Sequence, residues 1–495
     1  ESAGRGSIVE AFKRALIGPR LLTADAPHQT ISKKVGLAVF ASDALSSTAY
    51  ATDEILFVLV LAGSGALNIS IPIAITIAVL LLIVTISYEQ TIHAYPGGGG
   101  SYIVSKENLG VIPSLVAGSS LLVDYILTVA VSISAGVAAI ISIPALRDLA
   151  EYRVELCVLL IALITIANLR GVKESGRIFA VPTYGFVVSI LVLVAVGVVK
   201  AIVGGLDPVH VHHATVAAGA GGTLGLWLLM RAYAGGSTAM TGVEAISNGV
   251  PAFRPVEWKN ARKVLGWLGG LLAVMFIGIS FLAWKVHPIP SSTETVLSQI
   301  TRSVMGQGTI GNIAFFVVQA MTMLILVLAA NTSFADFPRL ASFHAHDHFL
   351  PTPLTKRGRR LVFANGIVVL AGLATVVTVV FGASVPHLIP LYAIGVFTSF
   401  TLSQAGMSVR HLKLREPGWR FGLFVNGLGA IVTGVVTVVI AVTGVVRPSA
   451  SAMALLTTTR MATTIPAGSY GAFAASGAGS GFARTTTDRA KTSRS

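Results

Sequence analysis

Between Val35 and Ala62 the chain runs through a stretch long and apolar enough to cross a membrane, and a carboxylate, Asp43, stands inside it. A charged side chain at membrane depth costs roughly 2.5–3.5 kcal/mol on insertion scales. It persists there only where it faces a partner or a polar pathway. The surrounding residues, Phe40 to Tyr50, read F-A-S-D-A-L-S-S-T-A-Y. Hydroxyls at Ser42, Ser46, Ser47 and Thr48 compete for backbone groups and loosen a helix. The stretch therefore reads as a membrane helix interrupted at its middle, with an acidic, oxygen-rich break. The plainer alternative is a membrane helix whose Asp43 is paired inside a bundle.

The rest of the chain supports a membrane setting. Of 495 residues, 54% are hydrophobic and 11% charged, and the mean hydropathy is +0.79. This excludes a soluble globular protein and predicts an all-α polytopic membrane protein. The lone cysteine, Cys157, excludes an internal disulfide framework and reads as packed or lipid-facing. The formal net charge of +14 is spread over short loops rather than gathered with aromatics on one soluble face, so nucleic acid is not an expected partner. The polar N-terminus and the length of the first apolar run argue against a cleavable signal peptide.

Eleven apolar segments follow one another, at about 35–62, 70–88, 111–142, 152–169, 178–203, 222–249, 264–287, 309–338, 361–381, 385–409 and 420–446. Lys and Arg crowd into alternate loops when the N-terminus is placed in the cytoplasm. The outer loops then hold only Arg147, Arg153, Lys200, Lys285 and Arg302. The expected organisation is a cytoplasmic basic arm over 1–34, a first repeat over 35–203, an extracellular loop over 204–221 and a second repeat over 222–409. An inner loop and eleventh helix follow over 410–446. Residues 447–495 are a low-complexity tail, expected to be disordered. Its basic residues would lie outside after eleven spans, against the rule the other loops obey. A lost twelfth helix, through truncation or a shifted frame near residue 446, would repair this.

The sixth segment contains G-G-S-T-A-M-T-G-V-E-A-I-S-N-G, Gly235 to Gly249, another small-residue interruption with one acid, Glu244. Interruptions in the first and sixth segments have the spacing of two inverted five-helix repeats. The third segment places Tyr125, Thr128 and Ser132 on one helix face, with Asp124 one residue round from it. Such a stripe faces protein or water; interhelical hydrogen bonding is the plainer reading. The second segment ends in P-G-G-G-G, Pro96 to Gly100, an inner loop that packs tightly or moves. In the tenth, Tyr392 is placed to cover the centre from outside. The histidines at 344–348 and 210–213 are a weak metal signal, and no metal site is assigned to them.

The stretches V-F-A-S-D-A-L-S-S-T-A-Y, A-M-T-G-V-E-A-I-S-N and L-I-P-L-Y-A-I-G-V-F-T-S-F-T-L-S-Q resemble the APC-superfamily permeases of the KimA type, bacterial potassium importers related to the Kup family. The resemblance runs over about residues 30 to 445. It implies a LeuT-like fold of two inverted repeats plus further helices, and potassium uptake coupled to protons. It places cation-site residues at Asp43, Tyr50, Tyr125, Thr128, Ser132 and Thr241, the proton-coupling acid at Glu244 and an outer aromatic cover at Tyr392. It also implies a twelfth helix and a cytosolic domain supporting dimerisation and inhibition by cyclic di-AMP. Neither is legible after Val446, which puts both properties in doubt for this chain. A homodimer stays open, membrane lipid is the expected surrounding, and no cofactor is expected beyond the transported potassium and proton.

The residues agree with a cation. Potassium needs several oxygens, which carbonyls at helix breaks, hydroxyls and a carboxylate supply. An amino acid:proton permease of the same fold is the first alternative, but Asp43 would repel a substrate carboxylate at the first break. A non-transporting membrane sensor is the second. No grouping of nucleophile, base and orienting residue suggests an enzyme.

Overall fold

The computed structural model describes residues 31–170, 176–206, 225–291, 293–306, 308–356 and 363–445. Most of the basic arm, most of the 204–221 loop, the histidines at 210–213 and the tail after 446 lie outside the described residues. Everything that follows concerns the unit ending at Val445.

Ser32 starts the first helix by accepting the Val35 amide, at 3.4 Å. The first membrane segment then comes in three pieces, α1 (Lys33–Phe40), α2 (Ser42–Ser46) and α3 (Thr48–Leu59). The next segments are α4 (Ser70–Ala94), α5 (Gly100–Asn108), α6 (Val111–Ile141), α7 (Arg153–Leu169) and α8 (Gly176–Val203). The sixth segment is α9 (Leu226–Gly236), a 3-10 turn over Ser237–Met240 and α10 (Ala245–Asn248). The chain closes with α11 (Glu257–Val286), α12 (Val296–Met305), α13 (Thr309–His346), α14 (Ala364–Val380), α15 (Val385–Leu414) and α16 (Trp419–Val445).

Among the described residues eight helices are long and apolar enough to span a membrane. The other apolar segments are shorter or divided. Helices α7 and α14 have 17 residues each, about 26 Å at 1.5 Å per residue, the short end of the range that crosses a hydrocarbon core. The sixth segment is divided by its own break. The described residues contain no strand beyond one isolated bridge, Ile31 to Phe253.

Burial separates lipid-facing from protein-facing surfaces. Ile75, Leu82, Val188, Val274, Val376 and Phe424 are exposed on the outer faces of their helices, where a soluble protein would place charge. Asp43, Asp124, Glu244, Thr128, Ser132 and Gln404 are buried. Helix α6 packs along α13 and α15, α11 along α4, and α3 along α9. The first interrupted segment and the chain just after the sixth are joined through aromatics. Phe40 and Phe253 lie 5.5 Å apart, ring to ring, and a Cβ at Gly36 would collide with the Phe253 ring.

Candidate functional site

The two breaks touch, and they are built differently. In the first segment Ala41 and Ser47 interrupt the helix, yet both keep right-handed helical backbone (φ −96°, ψ −6° and φ −62°, ψ −24°). Hydroxyls loosen it: Ser46 donates to the Asp43 carbonyl at 2.7 Å, Ser47 to Ala44 at 2.6 Å and Thr48 to Leu45 at 2.7 Å. Asp43 sits in the short helical turn between the two interruptions, not in an unwound stretch. The sixth segment opens fully. Thr241 is extended (φ −65°, ψ 151°) and Gly242 is left-handed at φ +80°.

Gly242 carries the contact. A Cβ there would lie 2.7 Å from Asp43 Oδ2 and 2.8 Å from the Ala44 amide nitrogen. Glycine alone meets both the backbone angle and the approach. Ser47 also donates across the junction to the Ala239 carbonyl, at 2.9 Å. The Thr241 hydroxyl is turned back to the Thr238 carbonyl, at 2.8 Å.

Around this junction stand the residues singled out from the sequence. Asp43, Tyr50, Tyr125, Thr128, Ser132, Thr241, Glu244, Tyr392 and Asp124 are all buried. Tyr50 lies beside Thr241 and Tyr392, and the Asp43 carboxylate is close enough to both tyrosines to act on them electrostatically. Asp124 and Glu244 lie within electrostatic range of each other. Asp43 Oδ1, Thr128 Oγ1, Asp124 Oδ1 and Glu244 Oε2 are buried and make no hydrogen bond. Buried polar atoms are rarely left so, and their gathering beside two helix breaks is the chemical signature of the site.

Several participants were missed from sequence. Asp336, read there only as marking the inner end of the eighth segment, acts electrostatically on Asp43, Tyr125 and Glu244. It lines a cavity of about 730 Å³ together with Tyr125, Asn248, Glu107, Arg339 and Arg410. Asn248 donates to the Tyr125 hydroxyl at 3.3 Å, between that cavity and the junction. The glycine loop abuts it: a Cβ at Gly100 would collide with Asn248 Oδ1. On the other side Tyr88, Ser101 and Ser399 form a hydroxyl chain, 3.4 Å and 2.7 Å long in its two links, with Tyr88 in electrostatic reach of Glu244. Each of these is an ordinary polar residue in sequence; only the tertiary packing brings them to the acids.

The loop helix α5 is tied to the C-terminal end of α13. Lys106 pairs with Asp347 at 2.7 Å, the Tyr102 hydroxyl donates to the same carboxylate, and His344 stacks on the Tyr102 ring with centroids 4.4 Å apart. The hydrogen bonds from Lys106 and Tyr102 hold the Asp347 carboxyl below its usual range. Among the described residues no three His, Cys, Asp or Glu side chains come together as a metal-binding group.

The comparisons with known proteins agree with this architecture. A family model described as amino acid permease matches residues 36–465. "Potassium transporter KimA" of Bacillus subtilis (strain 168) is 48% identical over 434 residues, covering 88% of this chain and 70% of that protein. Among solved structures, a variant of the Eremococcus coleocola manganese transporter aligns at TM-score 0.46 and 11% identity, covering 86% of this chain and 92% of that one. The same transporter with a bis-isothiourea compound aligns at TM-score 0.44 and 12% identity, covering 86% and 91%. Those overlaps are too loose to carry an argument. The family match covers nearly the whole helical bundle and the KimA identity extends across it. This chain therefore belongs to the amino acid permease family, among its KimA-type members, and is an integral membrane transporter by kinship and build.

Proposed function

We propose that the chain imports potassium in symport with protons, by alternating access across the plasma membrane, with its N-terminus in the cytoplasm. The observation that carries the reading is the junction itself. The Asp43 carboxylate is pressed against the opened sixth segment, and buried oxygens at Asp43, Thr128 and Glu244 make no hydrogen bond within the protein. A weakly hydrated monovalent cation matches oxygen ligands of this kind. Asp43, Tyr50, Tyr125, Thr128, Ser132 and Thr241 form the ligand set of the proposal, and Tyr392 its outer cover.

Glu244 is the proposed proton carrier. Asp43, Asp124, Glu244 and Asp336 act on one another electrostatically. Repulsion among carboxylates is relieved by a cation or by a proton, so occupancy by one alters the demand for the other. The inner cavity walled by Asp336 and Asn248 is the proposed release path. Lys and Arg concentrated in the loops on that side support the orientation.

Growth at limiting potassium tests the reading, in a bacterium lacking its own importers. Wild type is expected to rescue and Asp43→Ala to fail while still inserting in the membrane. Rescue by Asp43→Ala at the wild-type level removes Asp43 from the site. The family's description keeps amino acid transport as a second reading. Uptake of labelled amino acids that excess potassium leaves untouched would favour it.

A further inference from the structure

Helix α11 carries, at the end bearing the basic loops, a cluster that the transport site does not use. Lys259, Arg262 and Lys263 are exposed there, followed by exposed Gly266, Trp267 and Gly270. Lys259, Lys263, Gly266 and Gly270 are spaced four, three and four residues apart and share one helix face. With Trp258, Asn260 and Glu89 of α4, the basic end lines a surface cavity of about 610 Å³.

The charges in that cavity do not cancel. Arg262 is committed to an ion pair with Glu89. The Lys259 ammonium lies over the Trp258 ring, 5.5 Å from its centroid. Neither Lys259 nor Lys263 has a salt-bridging carboxylate among the described residues. Two uncompensated ammonium groups beside a cavity attract an anion.

The groove below the charges decides which anion. A Cβ added at Gly266 or at Gly270 would meet nothing within 4 Å. The two glycines therefore leave a shallow open track down a membrane-spanning helix, flanked by exposed Trp267 and Val274. A soluble anion would use the ammonium groups and leave the track empty. A phospholipid uses both, with tryptophans at the level where headgroup meets acyl chain.

We propose that Lys259 and Lys263, with the Gly266–Gly270 track, bind an anionic phospholipid. The phosphate would sit between the two ammonium groups and one acyl chain would lie along the glycines. The proposal needs the membrane placement of α11 and is independent of the solute carried at the central junction.

The full-length chain in nanodiscs of mixed phosphatidylglycerol and phosphatidylcholine tests it, with native mass spectrometry counting the lipids that stay bound after transfer to detergent. Retained phosphatidylglycerol should fall about fivefold for each lysine removed, in Lys259→Gln and then in Lys259→Gln/Lys263→Gln. Lys356→Gln, an exposed lysine elsewhere, should retain it as wild type does. Gly266→Leu/Gly270→Leu should also lose the lipid, while leaving any binding of inorganic phosphate unchanged. Undiminished phosphatidylglycerol in the double lysine variant overturns the proposal. So does equal loss of phosphatidylcholine, which would make the contact apolar only. Retention by the filled-track variant together with competition by inorganic phosphate would make it a free-anion site and overturn the lipid.

Discussion

The two interrupted segments do the same job with different physics. The first keeps helical backbone throughout and is weakened from its side chains, as three successive hydroxyls bond back to carbonyls one turn earlier. The sixth is broken in its backbone, through an extended threonine and a left-handed glycine. The acid of the first points at the glycine of the second. A bent but continuous helix can hold a carboxylate at a fixed place, while an opened one exposes backbone oxygens and leaves room for the approach. The site therefore depends on one break being soft and the other hard.

This contrast predicts unequal sensitivities. Gly242→Ala should be the most damaging change. The methyl would meet Asp43 and Ala44 and force an L-residue into left-handed backbone, itself costing roughly 1–2 kcal/mol. Uptake is expected to drop at least 100-fold, an effect of about 2.7 kcal/mol or more, with size-exclusion chromatography checking assembly. If Gly242→Ala transports normally, the hard break is not needed. Glu244→Gln should come next. Potassium binding is expected to persist while proteoliposome uptake loses its dependence on an imposed pH gradient, and an unchanged dependence would remove Glu244 from proton coupling.

Ser47→Ala tests the soft break. It removes the donor shared between Ala44 and Ala239, worth about 0.5–1.5 kcal/mol, so uptake should fall only severalfold. A loss as deep as that of Gly242→Ala would mean both breaks are equally rigid. The smallest effect is expected from Asp347→Asn at the α5–α13 tie. Because Asp347 titrates below its usual range in the folded protein, its contribution is present above the unfolded carboxyl's value near 3.9 and lost as pH falls through the lower folded value. The group is close to the surface, so the melting temperature at pH 7 should move by about 1 °C. The wild type's lead over the variant should disappear in acid; a lead that grows there would contradict the pairing.

Legibility in sequence followed chemistry rather than distance from the site. Asp43 and Glu244 stood out because each is an acid in an apolar run, and the cost of placing it there demands a reason. Tyr125, Thr128 and Ser132 showed as a stripe because helical period is visible in one segment. The contact between Gly242 and Asp43 was not visible, since a glycine gives no sign of what approaches it. Tyr88, Ser101 and Ser399 come from three separate segments, and none of those segments alone marks them as partners. The interruption expected in the first segment is there; what its sequence does not reveal is that the backbone at Ala41 and Ser47 stays helical. The apolar segments at about 152–169 and 361–381 become helices of 17 residues each, Arg153–Leu169 and Ala364–Val380. Their length shows only once their helical ends are fixed.

The most direct measurement is equilibrium binding of potassium to the purified protein, wild type beside Asp43→Asn and Glu244→Gln. Asn keeps nearly the shape of Asp and removes the charge, so the junction should survive. Saturable binding is expected in wild type and Glu244→Gln, and none in Asp43→Asn. Equal binding in wild type and Asp43→Asn would contradict this, because the carboxylate held between the two breaks would then not be the cation's counter-charge.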